Sequence, residues 1–413
     1  MRARGWWIAP LCALALQLGC GGGKKEAAGP VSAERRLSNP QAVAKLAQGA
    51  AAAREVGGSK RAAELFRAAL VIDPALWEAR YDLGVVLAAE GELDEAGKEL
   101  ARAAKEAPAE ESIVVAQAEV ERRRGRSKEG AEVLAAFVKA HPSATLAKDA
   151  YVSALRDSKQ YDKALEQARE LLLLHPGDAG ALAELSLCYL AKGDHETASL
   201  VAKQAVDSAT KNDVGKDPKD PKEPASKPAA RSEEATKKAE KAHLASALVA
   251  FTRGNDAEAF ASFQKAAELD PRDPTPKMNM GTIFVRAGQF TKAEEQFRGV
   301  LAGSKDDLDA LIGLAIAQRG QGTQENQAKW AEAKATLDRV LVLDKDNPSA
   351  HYNLGVLYMN YLKKPTEARV SFQRFLKEAP GSHPQVAEAK KSLVELDANV
   401  NANVNVNVNK ATK

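Results

Sequence analysis

The chain has 413 residues, and its 59 basic and 56 acidic side chains leave a formal net charge of +3. That balance is too even, and the signs too interleaved, to attract a polyanion, so nucleic acid is not an expected partner. Aromatic residues make up only 5%, while Ala, Leu, Glu, Lys and Arg prevail, which predicts helix nearly throughout and an all-α fold.

Residues 1–19 have the three parts of a secretory signal: Arg2 and Arg4, an apolar run from Trp6 to Leu18, and Gly19 before Cys20. No later stretch approaches the ~18 to 20 uninterrupted apolar residues that a bilayer demands, so only the N-terminus is expected to touch a membrane. The segment Leu16-Gln17-Leu18-Gly19-Cys20 resembles the lipobox of bacterial lipoproteins. That resemblance implies an acylated Cys20 as the mature N-terminus. Gln17 and Leu18 depart from the Leu and the small residue that lipoboxes prefer, and an ordinary signal peptide with an incidental cysteine is the alternative. The residue after Cys20 is Gly21 and not Asp, which by the same resemblance implies an outer-membrane anchor facing the periplasm. Residues 20–40 are small and polar without an apolar period, as in a flexible tether.

From residue 41 the chain repeats itself. Pro74, Pro108, Pro142 and Pro176 each follow the last by 34 residues. Before each lies a small residue, a large apolar one four later, and a small or apolar one three after that: Ala62, Phe66 and Ala69, then Ala96, Leu100 and Ala103. Before Pro176 the set is Ala164, Ala168 and Leu171, where a small Ala168 replaces the large residue. Spacings of four and three put such residues on one helical face. The unit Leu83-Gly84, Leu87, Gly91, Ala96, Leu100, Ala103, Pro108 resembles the tetratricopeptide repeat, two antiparallel helices with a small residue where they cross. The resemblance implies an α-solenoid with repeats beginning near Val43, Trp77, Glu111, Thr145, Ala179, Glu240, Pro274, Leu308 and Pro348. In the third repeat Gln117 and Glu121 stand where large apolar residues are normal, which predicts a differently exposed first helix. In the eighth, the polar run Gln321 to Lys329 predicts a lengthened turn.

The apolar pattern stops near Thr210. Lys216-Asp217-Pro218-Lys219-Asp220-Pro221 with Pro224 and Pro228 cannot bury enough surface to offset ordering entropy. The expected division is therefore five repeats over 41–210, a linker over 211–239, and four repeats over 240–380. Val386, Ala389, Leu393 and Leu396 predict a capping helix within 381–397. The Asn/Val alternation of 398–413 is expected to be disordered.

No catalytic constellation is present. His141, His175, His195, His243, His351 and His383 lie in no metal-binding spacing, and neither a nucleophile elbow nor a phosphate-binding glycine loop occurs. No metal, no cofactor and no enzymatic activity are expected. Cys188, among Leu185, Leu187 and Leu190, reads as a small buried hydrophobe. Function then falls to surface. By resemblance, the second, fifth, ninth and twelfth positions of first helices line a concave groove. Those positions give Tyr81, Val85 and Ala88; Ala183, Leu187 and Leu190; Met278, Thr282 and Val285; Ile312, Ile316 and Arg319; Tyr352, Val356 and Met359. The expected function is a non-catalytic scaffold that binds periplasmic or outer-membrane proteins of an envelope-spanning machine. In size, lipobox and split array the chain is similar to the tetratricopeptide lipoproteins of adventurous gliding-motility complexes. The alternative is an assembly lipoprotein for pilus secretins or outer-membrane β-barrels.

Overall fold

The computed structural model describes residues 38–55, 57–211 and 232–411. The signal segment, Cys20, the tether up to residue 37 and residues 212–231 of the expected linker lie outside the described residues. Among those described, nineteen α-helices and one π-helical turn occur, with no strand.

Two compact units divide the chain between Gly254 and Asn255. The first holds α1 (Pro40–Ala53), α2 (Ser59–Ile72), α3 (Trp77–Ala89), α4 (Leu93–Glu106), α5 (Glu111–Arg123), α6 (Ser127–Ala140), α7 (Thr145–Asp157), α8 (Tyr161–Leu174), α9 (Ala179–Lys192), α10 (His195–Lys211) and α11 (Glu233–Thr252). The second holds α12 (Asp256–Leu269), α13 (Pro274–Arg286), α14 (Phe290–Leu301), α15 (Leu308–Gln321), α16 (Ala328–Leu343), α17 (Pro348–Val356), the π-turn Leu357–Tyr361, α18 (Pro365–Glu378) and α19 (Val386–Ala411).

The 34-residue period sets the local structure. First helices begin on acceptors that bond the free N–H groups of the first turn: Asp178 accepts from Ala181 at 2.9 Å, Asp307 from Ala310 at 2.8 Å and Asn347 from Ala350 at 3.0 Å. The turn between the two helices of a unit needs one left-handed residue. Gly57, Gly91, Gly125, Gly193, Gly254 and Gly288 supply it in six repeats, and Lys159 takes the same conformation at φ 62° in the fourth. Where the helices cross, side chains leave no room. A Cβ on Gly84 would stand 2.7 Å from Leu100 Cγ, and one on Gly355 would stand 2.6 Å from the Phe372 ring. Phe66, Leu100, Leu134, Phe263, Phe297 and Phe372, recurring at one position of the second helices, are all buried.

The structure departs from the sequence reading at two boundaries. The helix after the linker starts at Glu233 and packs against α9 and α10, so the sixth repeat's first helix belongs to the N-terminal unit and the divide falls at Gly254, not at 211–239. At the other end, α19 lays Ala389 and Leu396 against Phe372 and Phe375 and then runs on to Ala411 through the residues expected to lack structure. Extending an established helix fixes one residue per added hydrogen bond, so weak helix formers follow a docked nucleus.

In the ninth repeat one extra residue is absorbed by the π-turn, and the left-handed position passes to Lys363 at φ 54°. In the eighth, Gly322 stays at φ −70° and the lengthened turn carries the chain on to α16 and the buried Trp330. No helix among the described residues is long and apolar enough to cross a membrane.

Candidate functional site

Each unit has its own face of first helices, and the two faces differ chemically. In the N-terminal unit that face is a ladder of paired charges. Glu119 on α5 accepts from Arg122 at 2.6 Å and from Arg123 at 3.1 Å. On the next helices Arg156 of α7 meets Glu184 of α9 at 2.5 Å, and Ser153 donates to the same carboxylate at 2.6 Å. Lys241 of α11 completes the set, 2.8 Å from Glu184 and 2.5 Å from Asp149 of α7.

The Glu184 side chain is 2% exposed and that of Lys241 8%. Burial alone would raise the Glu184 carboxyl, but the Arg156 and Lys241 charges and the Ser153 hydroxyl outweigh it and hold the group down at about 2. Burial likewise works against the Lys241 ammonium, yet Asp149 and Glu184 keep it well above the usual lysine range. Both ions are thus charged across all ordinary pH. Beside them Cys188 is fully buried, and burial pushes its thiol up to about 12, which makes it an inert packing group.

The same unit shows what replaces the missing apolar residues of the third repeat. Glu121, where a large hydrophobe is normal, accepts from Arg124 at 2.7 Å and Arg126 at 2.6 Å, and Arg124 reaches back to the Leu93 carbonyl at 2.6 Å. An ionic clasp between α4 and α5 stands in for apolar packing there.

Of the groove candidates in this unit, Tyr81 is overturned as a contact residue. Its side chain is fully buried in a cluster with Phe66, Leu83, Leu87, Leu100 and Ile113. The reason is that α3 packs against α1, α2, α4 and α5, and an aromatic ring at this position fills the space between successive repeats. Ala88 and Ala183 are buried too. Val85, Leu187 and Leu190 are half-buried, with Val85 packed on the Tyr81 cluster.

The C-terminal unit has an apolar face instead. Met278, Thr282 and Val285 on α13, Ile312 and Ile316 on α15, and Tyr352, Val356 and Met359 on α17 and its π-turn are all half-buried. Met278 and Val285 rest against Phe297 and Leu314, and Ile312 against the cluster around Leu311 and Trp330. Tyr352 packs edge-on to Phe372, with ring centres 6.0 Å apart, and stands 5.3 Å from Phe375. The Thr282 hydroxyl turns back to donate to the Met278 carbonyl at 3.0 Å.

Arg319, at the twelfth position of its repeat, is half-buried in this face. It donates to Asn353 Oδ1 at 3.2 Å and sits over the Tyr361 ring, 5.8 Å from its centre. Burial pulls its guanidinium below the usual arginine range, and no carboxylate among the described residues raises it again.

The ladder Asp149, Arg156, Glu184 and Lys241 is missing from the apolar reading of the groove. Part of its signal was available: Asp149 stands at the first-helix position that holds Met278, Ile312 and Tyr352 in the later repeats.

Comparison with known proteins agrees with this architecture. A family profile described as Tetratricopeptide repeat matches residues 47–111, 152–213, 278–333 and 323–383, more than half of the chain. Over 227 residues the chain is 24% identical to cellulose synthase operon protein C of Pseudomonas fluorescens (strain SBW25). That match covers 55% of this chain but only 16% of the relative. Among solved structures, a human IFIT1 dimer with PPP-AAAA aligns with a TM-score of 0.42 at 19% identity, covering 81% of this chain and 71% of that one. The APC/C hetero-tetramer Cut9–Hcn1 gives 0.41 at 16% identity, covering 86% and 76%. YrrB, a repeat protein with an unusual peptide-binding site, gives 0.34 at 16% identity, covering 53% and 96%. Repeats of this type mediate protein–protein interaction, and their fold is typically that of a non-enzymatic scaffold. With paired helices at a 34-residue period and a profile match over more than half its length, the chain belongs to the tetratricopeptide repeat family.

Proposed function

We propose that this protein is a non-catalytic scaffold, tethered by a lipid on Cys20 to the outer membrane and facing the periplasm, where it holds components of an envelope-spanning machine. One observation carries the binding part. The first helices of the C-terminal unit, with the π-turn that continues α17, keep eight candidate groove side chains half-buried at the register positions of one face, six of them aliphatic or Met. Half-exposed Met, Ile and Tyr at one face are the residues that protein contacts use.

The anchoring part is supported by the lipobox-like segment ending at Cys20 and by Gly21 after it. Gliding motility is the machine that the split array and lipobox favour. A polysaccharide-related machine is the second reading, favoured by the match to a protein named for a cellulose synthase operon.

The test is affinity capture from solubilised envelopes with wild type, Cys20→Ser and Ile316→Ser, coupled to mass spectrometry and fractionation. Cys20→Ser should leave the membrane fraction. Ile316→Ser should keep its helical circular-dichroism spectrum and melting temperature while losing the captured partner, whose identity names the machine. Retention of Cys20→Ser in the membrane removes the lipid anchor from the reading, and an unchanged partner set with Ile316→Ser removes the groove.

A further inference from the structure

The charges of the N-terminal unit's ladder are answered by opposite charges, but Arg319 in the C-terminal unit is not. No carboxylate among the described residues pairs with it. Among the described residues its one side-chain hydrogen bond goes to Asn353 Oδ1, and a guanidinium carries five N–H donors. A half-buried cation without a counter-ion is costly to keep.

Its surroundings are nonetheless held in place. Asn353 donates its own amide to the Ser349 carbonyl at 2.9 Å, which fixes Oδ1 toward Arg319. Tyr361 lies beneath the guanidinium and is itself braced by Trp330, with ring centres 5.6 Å apart. Tyr361 stands there because the ninth repeat's extra residue is taken up as the π-turn Leu357–Tyr361. Backbone irregularities of this kind concentrate at functional sites.

We propose that Arg319 is the docking point for an acidic side chain carried within an apolar segment of a partner protein. The charge complement of a lone guanidinium is a carboxylate, which can take two of its free donors at once. The carboxylate belongs inside a segment and not at a chain end, because apolar side chains flank Arg319 along the repeats: Val285, Ile312 and Ile316 on one side, Tyr352, Val356 and Met359 on the other. A terminal carboxylate would leave one of these flanks bare. Asn353 and Tyr361 orient the guanidinium and act as positioning residues.

This inference rests on the reading of the C-terminal face as a partner groove, and its test separates the two. Full-length protein is titrated, by fluorescence anisotropy, with three series of short labelled peptides built from Leu, Ile and Val. The first series is capped at both ends and carries one central Glu, the second carries Gln there, and the third has no acidic side chain but a free C-terminal carboxylate. Glu peptides should bind roughly tenfold tighter than their Gln counterparts, the scale of one charge-assisted hydrogen bond. Arg319→Gln should erase that difference and Arg319→Lys should keep part of it.

Without peptide, Arg319→Gln should melt at or above the wild-type temperature, because a lone buried charge has been removed. A fall of many degrees instead makes the guanidinium structural and overturns the proposal. Equal binding of Glu and Gln peptides, binding confined to the free-carboxylate series, or no binding in any series overturns it as well. Charge-independent binding that Ile316→Ser abolishes leaves the groove reading standing, as does partner capture that depends on Ile316.

Discussion

Replacing Lys241 by Met tests whether the ladder of the N-terminal unit holds α11 in place. The ammonium bridges Asp149 and Glu184 at 2.5 and 2.8 Å. Its loss leaves two carboxylates with only Arg156 between them, 2.5 Å from Glu184. Removing one partner of a buried ion pair commonly costs about 3 to 5 kcal/mol. Arg156 and Ser153 also hold the Glu184 carboxyl down, so part of its stabilisation survives the substitution and the lower end of that range applies.

The sign follows from that direction. A depressed carboxylate contributes stability that is present above its unfolded value of 4.5 and is lost as pH falls through the folded value of about 2. Lys241, raised in the folded state, contributes below its unfolded value of 10.5 and loses that contribution only in stronger alkali. Between pH 5 and pH 9 both are therefore in full effect. Native-state hydrogen exchange is the suitable assay, because a repeat array opens locally and global denaturation would average over units. At pH 7 the amides of α11 and α9 in Lys241→Met should exchange with an opening free energy lower by about 3 kcal/mol, while α1 to α4 stay at wild-type values. In acid denaturation the gap between variant and wild type should narrow from pH 4.5 downward. A loss below about 1 kcal/mol, the range of exposed pairs, or a gap unchanged down to pH 3, would refute the claim that this network docks α11.

Two further expectations follow from burial. Tyr81→Ala should destabilise the N-terminal unit by about 3 to 5 kcal/mol, the cost of emptying a buried aromatic site, in a urea titration; a loss within 0.5 kcal/mol, the range of surface substitutions, would return Tyr81 to the groove. The Cys188 thiol, fully buried and pushed up to about 12, should resist a thiol-specific disulfide reagent at pH 8 in the folded protein and react at once in denaturant. Fast reaction without denaturant would contradict the packing described for α9.

The parts of the fold that follow from local chemistry are legible in the sequence. First helices begin at Trp77, Glu111, Thr145, Ala179, Pro274, Leu308 and Pro348, where the period puts them, because the period itself records where helices must cross and turn. What the period does not record is which repeat packs on which. The prolines near 220 mark a break in apolar pattern, yet α11 packs back against α9 and α10, since Ala242, Ala245 and Val249 are buried and Lys241 finds two acids waiting. Tyr81 shows the same limit from the other direction. Its register position is shared with Met278, Ile312 and Tyr352, yet Tyr81 lies wholly inside its cluster while those three stay half-buried, a difference that the register does not record.

The two faces then pose different demands on a partner. On the N-terminal face Glu119, Glu184 and Asp149 already hold Arg122, Arg123, Arg156 and Lys241, so an incoming charged group must displace a buried pair and bear its desolvation before gaining anything. On the C-terminal face the partner meets apolar surface whose burial is favourable at about 25 cal/mol per Å², and a cation, Arg319, for which no acid among the described residues competes. Affinity should therefore concentrate in the second unit. The charges of the first serve to stiffen the stack through which α11 is carried, and substituting them should alter exchange and melting before it alters what the protein captures.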